Sequence, residues 1–184
     1  MDRRIKKSQR AIEASLIKLM NQKSFEDITI HEIAEEADVS RGTIYLNYED
    51  KYHILHKCMD AELNKLIESC TPNQSSLHEA GQQALLLQTL EYIKSNSDIF
   101  IMLLETKGVE TFREKLLTLL KENMFIEVKL EGINQGMDRE IFAQFWTVAV
   151  IGVIEWWIKN SLEYSSEDIA EHLFTILSRN EVVG

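Results

Sequence analysis

The sequence predicts an all-α protein built as a three-helix head followed by a helical-bundle body. Three observations carry this. Among 184 residues there are one proline and seven glycines, with 45% apolar content, a composition suited to a folded and mostly helical chain. Apolar residues recur at helical spacing in successive segments. Near the amino terminus, Thr29, Ser40 and Asp50 stand where caps would start three helices in quick succession.

The first helix is expected over about 6–21, with Ile12, Leu16, Leu19 and Met20 as its apolar stripe. Its lead-in is cationic: Arg3, Arg4, Lys6, Lys7 and Arg10 face only Asp2. The following NQKSFED stretch reads as a loop, with Phe25 plugging the core.

The stretch TIHEIAEEADVSRGTIYLNYEDK, 29–51, is the most informative in the chain. Thr29 and Glu32 have capping-box spacing, and Ile28 and Ile33 have that of a hydrophobic staple. Asp38 ends the helix, being one of the few residue types besides glycine that tolerate a left-handed turn. Val39 plugs the turn, and Ser40 caps a short second helix that points Ile44 inward and exposes Arg41, Thr43 and Tyr45. Two short helices around a tight turn form a helix-turn-helix, which lays its second helix in the major groove of DNA. Arg41 suits guanine acceptors or phosphate, Thr43 a base or a thymine methyl, and Gly42 permits close backbone approach. Asp50 caps a third helix, placing Lys51 at an N-terminus that favours phosphate.

VSRGTIYLNYEDKYHIL, with the preceding TIHEIAEEAD, closely resembles the DNA-binding domain of TetR/AcrR-family transcriptional regulators. The resemblance implies that Tyr45 and Lys51 bind phosphate and that Tyr48 anchors the third helix. It also places the basic end, with Arg3 and Arg4, against the DNA backbone or in a groove, although charge clusters at termini also occur as plain solvated ends. Asp38 stands where that family usually has glycine, and Asn47 where it usually has a phosphate-binding histidine; Asn47 can donate a hydrogen bond but cannot become cationic. Base approach is therefore assigned to Arg41, Gly42 and Thr43 after the Ser40 cap, and phosphate positioning to Thr29, Tyr45, Asn47 and Lys51.

The head is expected over 1–52, its third helix continuing to about 70 as a connector that Pro72 and the polar TPNQSS stretch end. A regulatory and dimerisation domain follows over 73–184. Its helices are expected near 77–96, 99–104, 109–131, 139–160 and 167–179, the last capped by Ser165 or Ser166 and carrying Ile169, Leu173, Ile176 and Leu177. The most apolar segment, 141–158, approaches membrane-spanning length, but Gln144 and Glu155 interrupt it and no basic loop orients it. A buried helix meeting a second subunit fits better, with Ala149 and Gly152 permitting close approach. The stretch from Gly152 through Trp156 and Trp157 to Glu167 resembles the carboxy-terminal domain of a TetR subgroup common in low-GC Gram-positive bacteria. That resemblance implies a four-helix homodimer interface, for which Ala149, Gly152, Val153, Trp157, Leu173 and Ile176 are the candidates. Phe100, Met102, Phe142, Phe145, Trp146 and Trp156 are candidates for lining an apolar effector pocket, although aromatic residues at helical spacing also serve as plain core.

The net charge of −10 disfavours indiscriminate DNA binding, which cation replacement on phosphates drives. Residues 1–55 hold nine Lys and Arg against ten Asp and Glu, so nearly all the excess acid lies beyond them and orients the head toward DNA. Cys58 and Cys70 sit on one expected helix about 18 Å apart, too far for a disulfide, and read as reduced thiols of a cytoplasmic protein without a signal peptide. His53 and His56 share a helix face but lack further ligands, so no metal or other cofactor is expected. No phosphate-cradling loop, nucleophile elbow or catalytic carboxylate pair points to an enzyme.

The sequence thus describes a regulator, usually a repressor in the family it resembles, with double-stranded DNA bearing a near-palindromic operator and a second copy of itself as partners. A small-molecule effector is implied by the resemblance alone, and no membrane is expected. Control by a protein partner through the body is the alternative, followed by a helical enzyme with a vestigial head.

Overall fold

A computed structural model describes residues 3–69, 79–106, 111–127, 130–160 and 163–182, and of 79–80 and 122–127 the backbone alone. Cys70, Pro72, the 71–76 stretch and Val109 lie outside the described residues. Nine α-helices and no strand occur among those described. The chain divides into two compact units, Met1–Asn64 with Glu105–Val109, and Lys65–Leu104 with Glu110–Gly184.

The first unit holds α1 (Arg3–Met20), a 3-10 turn (Phe25–Asp27), α2 (Ile30–Glu36), α3 (Arg41–Tyr45) and the first part of α4 (Lys51–Ser69). Helix α1 starts earlier than its apolar stripe indicates, and its expected stripe is the buried one: Ile12 and Leu16 are fully enclosed, with Leu19 and Met20 beside them. Each such side chain contributes about 1.5–3 kcal/mol by leaving water. Phe25 plugs the core from the 3-10 turn, and Ile28, Ile33 and Ile44 complete it beneath the α2–α3 hairpin. Cys58 is a buried thiol on α4 whose Sγ lies 3.8 Å from the Glu13 carbonyl of α1.

The second unit contains α5 (Glu79–Ser95), α6 (Ser97–Glu105) up to Leu104, α7 (Phe112–Glu127), α8 (Arg139–Lys159) and α9 (Ser166–Arg179). Helix α5 packs on α9 and α7 on α8. Arg113, early in α7, pairs at 2.8 Å with Glu155, late in α8, and Lys121 pairs at 3.2 Å with Glu140, early in α8. The two helices are therefore antiparallel. Glu155 interrupts the most apolar segment because it has this partner.

The expected helix over 109–131 is described from Phe112 to Glu127, Leu130 and Glu131 are not helical, and a separate 3-10 turn, Gly132–Asn134, follows. Gly132 is left-handed with φ +53°, and an added Cβ would collide with the Glu181 carboxylate. That carboxylate accepts the Ile133 N–H at 3.0 Å, while the Asn134 side-chain amide donates to the Asn180 carbonyl at 2.7 Å. These bonds fasten the turn to the end of α9, where Val182 joins Phe142 and Leu177 in a buried cluster.

Candidate nucleic-acid interface

The α2–α3 hairpin is fixed by local chemistry. The Thr29 hydroxyl accepts the Glu32 N–H at 3.3 Å and donates to the Glu32 carboxylate at 2.9 Å, and that carboxylate accepts the Thr29 N–H at 2.9 Å. Lys23 donates to the other Glu32 oxygen at 2.6 Å. This lysine, with the Thr29 backbone and hydroxyl, holds the Glu32 carboxyl well below its ordinary range, at about 2. Asp38 takes the left-handed conformation expected of it, φ 51°, and the Val39 N–H returns to the Ala34 carbonyl at 3.0 Å. Ser40 caps α3 by accepting the Thr43 N–H at 3.0 Å, and its hydroxyl also meets the Thr43 hydroxyl at 2.9 Å.

With Ile44 wholly buried, the five residues of α3 have a fixed inward direction. Arg41, Gly42, Tyr45 and Leu46 all face solvent, and neither Arg41 nor Tyr45 makes a side-chain hydrogen bond among the described residues. These groups are free to meet a ligand. Leu46 is not among the residues expected from sequence. A helical wheel reveals it, because it lies four residues beyond Gly42 on the face opposite Ile44.

Several other expected contacts are occupied within the protein. The Lys51 ammonium donates to the carbonyls of Phe25 at 3.1 Å, Glu26 at 2.8 Å and Ile28 at 3.0 Å. A lysine has three donors, so all of them serve the backbone ahead of α2. The Phe25 ring lies 4.8 Å from the same ammonium. Thr29 spends both its hydroxyl and its N–H in the capping box, and the Asn47 amide donates to the Thr43 carbonyl at 2.8 Å. Thr29, Asn47 and Lys51 thus build the platform that presents α3; a phosphate reaching Thr29 or Lys51 has internal acceptors to displace, whereas Asn47 keeps a second N–H.

Tyr48 is buried, and its hydroxyl donates to the Glu13 carboxylate at 2.8 Å, tying the α3–α4 junction to α1. Burial first, and then this carboxylate, push the phenol above the ordinary tyrosine range. Asp50 caps α4 by accepting the His53 N–H at 2.8 Å, and the His53 ring accepts the Glu49 N–H at 3.3 Å. On α1, Arg3, Lys6, Lys7 and Arg10 line one shallow concavity of about 320 Å³, whereas Arg4, also exposed, is not in its lining. A second concavity, about 490 Å³, lies along the hairpin between His31 and Arg41.

In the second unit the six candidates for a pocket differ in their surroundings. Phe100 is buried edge-on between Tyr92 and Phe112, and Met102 is half-buried. Phe142 and Trp146 belong to the cluster at the end of α9, while Phe145 (62% exposed) and Trp156 (47%) face outward. The candidates for a dimer contact divide similarly. Trp157 and Leu173 are core residues, the Trp157 indole donating to the Tyr164 carbonyl at 2.9 Å, so they back a surface rather than form it. Ile176 is exposed, Ala149, Gly152 and Val153 are half-exposed, and an added Cβ at Gly152 would meet nothing within 4 Å. A helix as apolar all round as α8 gives no sequence signal of which side faces its own core.

Two family models match the chain: "Bacterial regulatory proteins, tetR family" over residues 13–58, and "Transcriptional regulator C-terminal region" over residues 82–179. An uncharacterized HTH-type transcriptional regulator, YxbF of Bacillus subtilis (strain 168), is 24% identical over 174 residues, covering 91% of this chain. The chain spans 44% of the length of that relative. The fold is similar to a TetR transcriptional regulator from Streptococcus agalactiae 2603V, with a TM-score of 0.72, 21% identity and 96% of each chain covered. It is also similar to NalD, the secondary repressor of the MexAB-OprM multidrug efflux pump in Pseudomonas aeruginosa, with a TM-score of 0.68, 17% identity and 97% of each chain covered.

Proposed function

The chain belongs to the TetR family of bacterial regulatory proteins, and we propose that it is a homodimeric transcriptional regulator that reads a near-palindromic DNA operator with α3. One observation carries the reading: an α3 capped by Ser40 presents Arg41, Gly42 and Tyr45 to solvent while the buried Ile44 holds its orientation. Arg41 approaches a guanine edge or a neighbouring phosphate, and the Tyr45 hydroxyl a phosphate. The cations of α1 add contacts that carry no sequence information but give affinity and salt dependence.

The second copy meets α8 and α9. Ile141, Phe145 and Val148 on α8 and Ile176 on α9 are exposed apolar side chains, and the open surface at Gly152 continues the α8 stripe. A two-fold dimer places two α3 helices in successive major grooves, so half-sites lie about 34–36 Å apart or at a multiple of it. Repression released by a small molecule follows if the effector prefers a form of the body whose heads are misplaced for DNA. DNA must then weaken effector binding by the same factor.

Footprinting on DNA from upstream of the gene tests this. Two protected patches related by a two-fold, centred about one helical turn or a multiple of it apart, are expected. A single protected patch contradicts the dimeric reading, and absence of protection on any upstream fragment contradicts the operator reading.

A further inference from the structure

We infer that Leu46 is a specificity-determining residue that reads a thymine methyl group in the major groove, an inference that rests on the DNA-binding reading above. Leu46 is 87% exposed, the highest fraction of any exposed large apolar side chain among the described residues. It is not a loose loop residue. Its backbone continues the α3 helix at φ −72° and ψ −20°, and its N–H donates to the Gly42 carbonyl at 3.0 Å.

Its direction follows from Ile44. At about 100° per residue, Gly42 and Leu46 lie on either side of the line directly opposite Ile44, each within about 20° of it. The buried Ile44 points into the head, so Gly42 and Leu46 form the outermost ridge of α3. Gly42 has no backbone need for glycine, since its φ is not in the left-handed region and an added Cβ would meet only the Ser40 hydroxyl, at an ordinary 3.5 Å. The ridge is therefore low at Gly42 and high at Leu46 for reasons outside the fold.

A leucine cannot hydrogen-bond a phosphate or a base edge, which leaves packing as its only mode of recognition. The one protruding apolar group a base pair offers in the major groove is the C5 methyl of thymine. A tyrosine beside it, Tyr45 at 59% exposure, carries a hydroxyl that addresses the backbone while Leu46 addresses the base. Arg41 and Leu46 then read different chemistry from one short helix: acceptor atoms and a methyl group.

The test selects binding sequences from a random DNA pool with the full chain, then replaces each selected thymine in both half-sites by deoxyuridine, which lacks only the methyl. Wild-type protein should lose about fourfold in affinity per half-site at one position, the worth of one buried methyl group. Leu46→Ala should bind the thymine and deoxyuridine forms of that site equally, with its melting temperature unchanged. If deoxyuridine is harmless at every position, or if its penalty persists in Leu46→Ala, the assignment of Leu46 is overturned while the regulator reading stands. If no sequence is enriched, the DNA-binding reading falls and takes this one with it.

Discussion

The Lys51 ammonium donates to the Phe25 carbonyl at 3.1 Å and stands 4.8 Å from the centre of the same residue's ring. With its bonds to Glu26 and Ile28, it closes the chain end ahead of α2 onto the start of α4. Lys51→Ala leaves three carbonyls without their donor and should cost about 1.5–3 kcal/mol of stability, the range for hydrogen bonds to a charged group. The slope of binding against salt should stay that of wild type. Lys7→Ala, on the exposed basic face of α1, should do the reverse, keeping stability while flattening the salt slope by about 0.9 per protomer, or about 1.8 for the dimer, the change for one phosphate in each half-site left without its cation. Chemical denaturation paired with binding at several salt concentrations measures both.

Among the described residues the Arg41 side chain makes no hydrogen bond or ion pair. Arg41→Ala should leave the melting temperature unchanged and relax preference at one base position by about 1–3 kcal/mol. Competition among singly substituted operators locates that position; equal loss against every competitor would place Arg41 on phosphate instead.

Glu32 sets an acid limit on the head. Its carboxyl is held at about 2 against an ordinary 4.5, chiefly by Lys23 and Thr29. A depressed folded-state value means that the stabilisation is present above the unfolded value and is lost as pH falls from about 4.5 through about 2. Glu32→Gln should melt lower than wild type at neutral pH, with the gap closing as pH approaches 2. Thr29→Ala, which removes the cap itself, should cost about 1 kcal/mol at neutral pH.

Gly152 offers a test of the proposed dimer. An added Cβ there meets nothing within 4 Å, so Gly152→Leu should fold normally while sedimenting as a monomer and losing operator affinity. Trp157→Ala, cutting into a buried site, should cost about 3–5 kcal/mol. A stable Trp157→Ala protein that dissociates would return Trp157 to the interface.

The features legible in the sequence are those written in local spacing. The capping box at Thr29 and Glu32 and the Ser40 cap depend on residues three positions apart, the left-handed Asp38 on the type of a single residue, and all three stand in the structure as expected. The α1 stripe is readable because one face of that helix is apolar and the other charged. The role of Lys51 is not, because its acceptors are 23 to 26 residues away and only the folded head brings them together. Trp157 escapes a sequence reading for a different reason, since an apolar helix without a polar face leaves its inward side undetermined. Leu46 lies within reach of helical periodicity once Ile44 is fixed as inward.

The most direct test of DNA reading through α3 is a fluorescence-anisotropy titration of the full chain on DNA from upstream of its gene and on scrambled DNA, each at two salt concentrations. Tight binding to the upstream DNA alone is expected, weakened by salt on both because phosphate contacts underlie each. Weak, salt-sensitive and equal binding to the two would contradict sequence reading by α3 and leave only the charge of α1 at work.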